Sequence, residues 1–273
     1  MTEETKIMEV MDIPKVVDVP VGVVEVVPKK EEDVPKGVSR ERNFDIDTWK
    51  PITRLGKLVK ARKITNISEI LDKGLTILEA EIVDALIPNL RNDLISIGQS
   101  KGKFGGGKRS IWRQTQKKTK EGNKASFSAL CVVGNGDGYV GIGLGKAKET
   151  VPAREKATRQ AKIDLIKIKR GCGSWESAQP KPTSIPFEVE GKCGSVKVRL
   201  IPAPQGTGLV IEKECRKVLA MAGIGDIYSK TYGHTGTKLN LVTACFNALK
   251  QLSKMKIQEE HRKQLGIVEG SRL

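Results

Sequence analysis

Aromatic side chains are scarce: Phe, Tyr and Trp make up 4% of the 273 residues, against 38% hydrophobic residues in all. The core must therefore be built from aliphatic side chains. No run of about 18 apolar residues is present to span a bilayer. The opening Met1-Thr2-Glu3-Glu4 lacks the charged and apolar regions of a secretory signal, so the expected location is the cytosol. The five cysteines (Cys131, Cys172, Cys193, Cys215, Cys245) include no Cys-x-x-Cys pair. Their odd number argues against a disulfide framework. With only His234 and His261 to assist, they also lack the ligand spacing of a zinc site. Buried apolar thiols are the expectation, with no metal and no cofactor. No nucleophile motif surrounds any Ser or Cys, so an enzyme is not expected.

What the chain has is positive charge. Lys and Arg number 48 against 32 Asp and Glu, a formal charge of +16. Such an excess repels itself unless a polyanion neutralises it, which makes nucleic acid the first partner to consider and an anionic membrane surface the second. The charge is unevenly spread. Residues 1–45 are net acidic, and Pro14, Pro20, Pro28 and Pro35 punctuate short valine runs; prolines so spaced stop helices and disfavour internal strands, so this region reads as a flexible tail. Between Lys101 and Lys124 the pattern reverses. Lys101, Lys103, Lys108, Arg109, Arg113, Lys117, Lys118, Lys120 and Lys124 face Glu121 alone, with Gly105-Gly106-Gly107, Phe104 and Trp112 among them. Glycines let backbone amides approach phosphate and rings can stack on bases, which favours RNA contact over a merely solvated loop.

Elements follow from periodicity. Asn66-Ile67-Ser68-Glu69 and the Thr76/Glu79 capping box each predict a short helix in 46–93. Leu94–Ile97 predicts a strand. Phe127–Val133 and Tyr139–Gly145 predict a hairpin joined by Gly134-Asn135-Gly136-Asp137-Gly138. A helix is predicted from Pro152 toward Ile168, with Ala153, Ala157, Ala161 and Leu165 on one stripe. Gly141, Gly143 and Gly145 share one strand face, where a helix or nucleic acid can come close. Residues 171–185 read as a linker. A second unit, 186–255, has strands at Phe187–Val189, Ser195–Leu200 and Ile227–Tyr232. Its helices are one ending at Gly223 and one capped by Thr237. Residues 256–273 read as a charged peripheral tail. The class is α+β, two small α/β units at 94–170 and 186–255.

Gly136-Asp137-Gly138-Tyr139-Val140-Gly141 has the spacing of a dinucleotide fingerprint. A true fingerprint opens a helix at its third glycine, whereas Val140, Ile142 and Leu144 continue as a strand. Gly145-Lys146 fails as a phosphate loop, because Val140 and Ala147 stand where glycine and Ser/Thr are needed. Asn-Gly-Asp-Gly between strands is hairpin chemistry. A second candidate cluster is Gln205-Gly206-Thr207-Gly208 with Lys230, Tyr232, His234, Thr235 and Lys238, near two predicted helix starts where N–H groups favour anions. Lys146 and Lys148 extend the first cluster.

Phe127–Gly138 followed by Val140-Gly141-Ile142-Gly143-Leu144-Gly145-Lys146-Ala147 closely resembles the hallmark of the universal S-five family of small-subunit ribosomal proteins. So do Ala203–Val210 and Ala244–Leu249, in the same order along the chain. The segments around Trp112 and Arg170–Glu176 resemble the archaeal and eukaryotic branch. The absence of the arginine-glycine repeats familiar from animal members favours an archaeal source. The resemblance implies a double-stranded-RNA-binding-like N-terminal domain and a C-terminal domain with a βαβ core. It also implies partners: small-subunit rRNA, mRNA at the path by which it enters the subunit, and neighbours of the S-three and S-four families. An effect on decoding accuracy is implied as well.

Overall fold

A computed structural model describes residues 46–87, 89–102, 106–173 and 181–271. The expected acidic tail, Lys103, Phe104 and the segment around Trp175 lie outside these residues. All described residues fall in one unit, Phe44–Leu273.

Residues 46–93, where two helices were expected, hold three: α1 (Arg54–Lys60), α2 (Ile67–Asp72) and α3 (Ala80–Leu86). The Thr76/Glu79 capping box does not form, and Glu79 makes no cap hydrogen bond to α3. Its carboxylate instead accepts the backbone N–H groups of Ile52 (3.0 Å) and Thr53 (2.6 Å), tying α3 to the residues leading into α1. Ile67, Ile70, Ile82 and Val83 close a small core that also takes in Tyr139 and Leu165.

The first sheet contains β1 (Arg91–Ile95), β2 (Arg113–Thr119), β3 (Gly122–Gly134), β4 (Tyr139–Ala147) and β5 (Leu165–Lys167), all antiparallel, in the order β1-β3-β4-β5. β3 is long enough for β1 to pair with its last five residues and β2 with its first seven. The basic stretch expected as one loop is thus partly a β-hairpin. Ala129, Cys131 and Val133 pack with α4 (Thr150–Ile163), while Leu130 and Val132 face the second core. Burial on both faces explains the unbroken apolar run.

The helix partner anticipated for Gly141, Gly143 and Gly145 is α4. A Cβ on these glycines would lie 2.1–2.2 Å from the carbonyl oxygens of Ala161, Ala157 and Ala153 respectively. Two-residue steps on the strand thus match four-residue steps on the helix. Leu165, expected on this helix, begins β5.

The second sheet runs β7 (Val189–Cys193), β8 (Val196–Pro202), β10 (Ile227–Tyr232), β9 (Leu209–Val210). β9 and β10 are parallel and joined through α5 (Lys213–Ala222), which gives the βαβ element. Gly223, in the left-handed region at φ 78°, ends α5 as expected. α6 (Lys238–Lys254) packs on the same side, with Gly191 against Ala244 and Ala248. Thr237 sits at the start of α6, but its hydroxyl donates to the His234 carbonyl rather than capping. Cys215 and Cys245 are buried here. A hydrogen bond with Cys245, together with burial, pushes the Cys215 thiol far up, so it is inert.

The segments expected as linker and tail are anchored where they are described. Gly171 bridges to Ser184, and Ile185 is fully buried. After α7 (Glu259–Gln264), β11 (Val268–Glu269) pairs with β6 (Lys169–Arg170). Buried Arg170 ion-pairs with Asp137 of the β3–β4 turn and donates to the carbonyls of Gly223 (3.3 Å) and Gly270 (3.1 Å). Ser271 donates to Asp137 at 2.6 Å. One guanidinium therefore joins the hairpin turn, the end of α5 and Gly270, and Asp137 adds Ser271.

Gly143→Ala should lower unfolding free energy by about 3 kcal/mol, since only backbone movement relieves the contact; urea denaturation reads it. Desolvation pushes the Glu79 carboxyl up, but the N–H groups of Thr53 and Ile52 and the Thr53 side chain outweigh it. The group therefore titrates below its ordinary value of 4.5. A depressed carboxyl contributes stability that is complete above that value and lost as pH falls through the folded one. Glu79→Gln should flatten the acid limb of a melting-temperature profile below about pH 5.

Candidate nucleic-acid interface

Strand register sorts the side chains of the hairpin. Arg113, Thr115 and Lys117 on β2 stand opposite Ser128, Ser126 and Lys124 on β3, and Ser128 stands opposite Lys146 on β4. Directly opposed residues share a face, so this face carries four cations, Arg113, Lys117, Lys124 and Lys146, among three hydroxyls. The other face holds Gln114, Gln116 and Lys118 against Phe127, Ala125 and Asn123. All the cations named are exposed. None makes an ion pair with another described residue. Lys117 directly faces Lys124, a like-charge pair that disfavours the hairpin unless an anion lies over it. Lys120 is exposed at the tip, and Lys148 is exposed just before α4.

Lys101, Lys108 and Arg109 are exposed in the loop before β2, where Ser100 bridges to Arg109. Trp112, expected to stack on bases, is half-buried against the small-residue cluster of Ala129, Cys131, Val133 and Ala157. A large ring there fills the space that small residues leave. Lys108, Arg109, Glu212, Glu214 and Lys238 line a cleft of about 400 Å³. Among the described residues that line it, Lys238 alone comes from the second predicted cluster, and it is ion-paired to Glu212 at 2.8 Å.

The second cluster otherwise comes apart. The Gln205–Gly208 loop adjoins the first residue of β10 through Ile227 N–H to Gly208 O. Tyr232, His234 and Thr235 stand at the strand's far end, about 20 Å away for a six-residue strand. The loop is not a helix start, since β9 intervenes before α5, and the Glu212 carboxylate accepts the Glu214 N–H there. Nor are its amides open to phosphate. Buried Asp226 accepts the N–H groups of Gly206 (3.1 Å) and Gly208 (2.8 Å), and Thr207 donates to the Pro204 carbonyl. An aspartate 18 and 20 residues away gave no local signal. Lys230 and Tyr232 point outward from β10 and His234 is exposed. Lys192, Lys197 and Tyr228, passed over in the sequence, lie on the same face; the alternation of Val196-Lys197-Val198-Arg199-Leu200 was the available clue.

The fingerprint-like glycines are equally committed. Gly136 and Gly138 donate their N–H groups to the Met221 and Ala222 carbonyls at the end of α5, at 2.9 and 3.0 Å. The Asn135 side chain accepts from Asp137 and Tyr139. This turn joins two parts of the protein and leaves no amide cradle for pyrophosphate. Among the described residues, no three His, Cys, Asp or Glu side chains gather as a metal site. No helix among them is long and apolar enough to cross a membrane.

Two family models match the chain: ribosomal protein S5, N-terminal domain, over residues 111–169, and ribosomal protein S5, C-terminal domain, over 191–262. The chain is 48% identical to the small ribosomal subunit protein uS5 of Nanoarchaeum equitans, over 83% of this chain and 97% of the relative. To the protein of the same name from Methanocaldococcus jannaschii it is 46% identical, over 83% and 98%. The chain belongs to the ribosomal protein S5 family. The S5 N-terminal model thus takes in the charged hairpin, the glycine strand and α4. The S5 C-terminal model takes in the second sheet from Gly191 and both of its helices. The α+β class expected from the sequence is the class of the S5 fold seen here.

Asp226→Ala should cost about 2 kcal/mol by stranding two amides, measured by urea denaturation. RNA affinity in a filter-binding assay should stay unchanged, because the loop serves architecture.

Proposed function

We propose that this S5-family chain is an rRNA-binding structural constituent of the small ribosomal subunit. The supporting observation is the single-faced array of Arg113, Lys117, Lys124 and Lys146, in which Lys117 opposes Lys124 and none of the four is ion-paired to a described carboxylate. Such an arrangement suits a phosphate backbone, which supplies the missing negative charge and releases counterions on binding. The hydroxyls of Thr115, Ser126 and Ser128 add hydrogen bonds to phosphate or sugar oxygens. The relatives' names point to the same subunit.

The finer reading puts the protein beside the path by which mRNA enters, next to members of the S-three and S-four families. The interlocked joint around Arg170 holds its two sheets in fixed relation. Through that rigidity it limits how readily the subunit changes shape during decoding and so supports accuracy. This part rests on the family likeness and on the buried joint.

The pair of substitutions Lys117→Glu and Lys124→Glu should exclude the protein from small subunits on sucrose gradients, whereas the native chain stays bound through a high-salt wash. Lys118→Glu, on the opposite face, should be milder. For binding to duplex rRNA fragments, the double variant should lower the slope of log affinity against log salt by about 2. Normal assembly of the double variant would overturn the proposal.

A further inference from the structure

Three tyrosines occur in the chain. Tyr139 is buried and its hydroxyl shares a 2.7 Å hydrogen bond with Ser68. Tyr228 and Tyr232 are 41% and 50% exposed, and both belong to β10. Being four residues apart on one strand, they share a face and stand about 13 Å from each other. That face is the outer one, since α5 and α6 cover the other side, where Val196, Val198 and Leu200 of β8 are buried.

Register completes the surface. Lys230 lies between the two rings, opposite Arg199, and Lys197 lies opposite Tyr232, with Lys192 beyond it on β7. The carboxylates of Glu188 and Glu190 are both drawn to Arg199. The remaining lysines make no ion pair with another described residue. Exposed rings interleaved with lysines differ from a protein-docking surface, where lysine is depleted. They also differ from the hairpin, which offers charge without exposed rings. Rings flanked by cations, on an open sheet, complement a strand whose bases are unstacked and whose phosphates lie alongside.

We infer that the outer face of the β7-β8-β10-β9 sheet is a second RNA site that takes single-stranded RNA, two bases stacking on Tyr228 and Tyr232 and phosphates lying on Lys197 and Lys230. The site rests on the reading of the chain as an RNA binder but not on the hairpin, whose ladder of charge suits duplex backbone.

The test uses the full chain and a labelled RNA of about twelve nucleotides, offered single-stranded or annealed to its complement, with anisotropy as the readout. Tyr228→Ala with Tyr232→Ala should weaken single-strand binding about tenfold per ring and leave duplex binding unchanged. Tyr228→Phe with Tyr232→Phe should bind like the native chain, because stacking needs the ring and not the hydroxyl. Lys117→Glu with Lys124→Glu should give the reverse pattern, losing duplex and keeping the single strand. Native single-strand affinity in the alanine pair, or a phenylalanine pair as weak as the alanine pair, would overturn the inference while leaving the hairpin reading intact. So would an alanine pair that keeps RNA but loses a neighbouring small-subunit protein. Failure of the native chain to bind either RNA would overturn both readings.

Discussion

The backbone of α4 lies against β4 at a distance that only glycine permits. Dispersion attraction falls steeply with separation, so a chain poor in rings gains by bringing backbones together instead of filling space with side chains. Gly141, Gly143 and Gly145 do this against Ala161, Ala157 and Ala153, and Gly191 repeats it against Ala244 and Ala248. Once α4 is seated so closely, the opposite face of β3 is left to Leu130 and Val132, which join the core under α5 and α6.

Features set by local geometry were legible. Asn135–Gly138 made a turn because its residues tolerate positive φ, as Gly136 and Gly138 do at 72° and 94°. Gly223 ended α5 for the same reason. The glycine strand announced a close approach, and only its partner was open. Features set by distant residues were not legible. Glu79 has capping chemistry, yet the nearest unsatisfied amides in space belong to Ile52 and Thr53. Asp226 takes up amides that looked ready for phosphate. β2 escaped notice because Arg113–Thr119 is exposed on both faces, which removes the alternation that marks a half-buried strand. β11 pairs through only two residues, too few to leave a pattern.

Charge is distributed by role. Within the body, lysines meet acids across elements: Lys162 with Asp84, Lys167 with Asp72, Lys217 with Asp93, Lys250 with Asp164. Pairs of this kind near the surface contribute little energy each, but they tie neighbouring elements together. On the hairpin and the outer face of the second sheet, by contrast, the lysines, and Arg113 with them, make no ion pair with another described residue, whereas Arg199 is held by Glu188 and Glu190. Two surfaces thus present cations in different chemistry, one without exposed rings and one interleaved with them.

The joint around Arg170 has a bearing on the order of events during synthesis. Ser271 follows Asp137 by 134 residues. At ordinary translation rates that separation is a delay on the order of ten seconds. Throughout that interval the glycine turn and α4 are available to fold, while Asp137 still lacks its hydroxyl donor and Arg170 the Gly270 carbonyl. The nascent chain thus passes through a stage in which its first sheet is assembled but not locked, and the last residues made are the ones that close the joint.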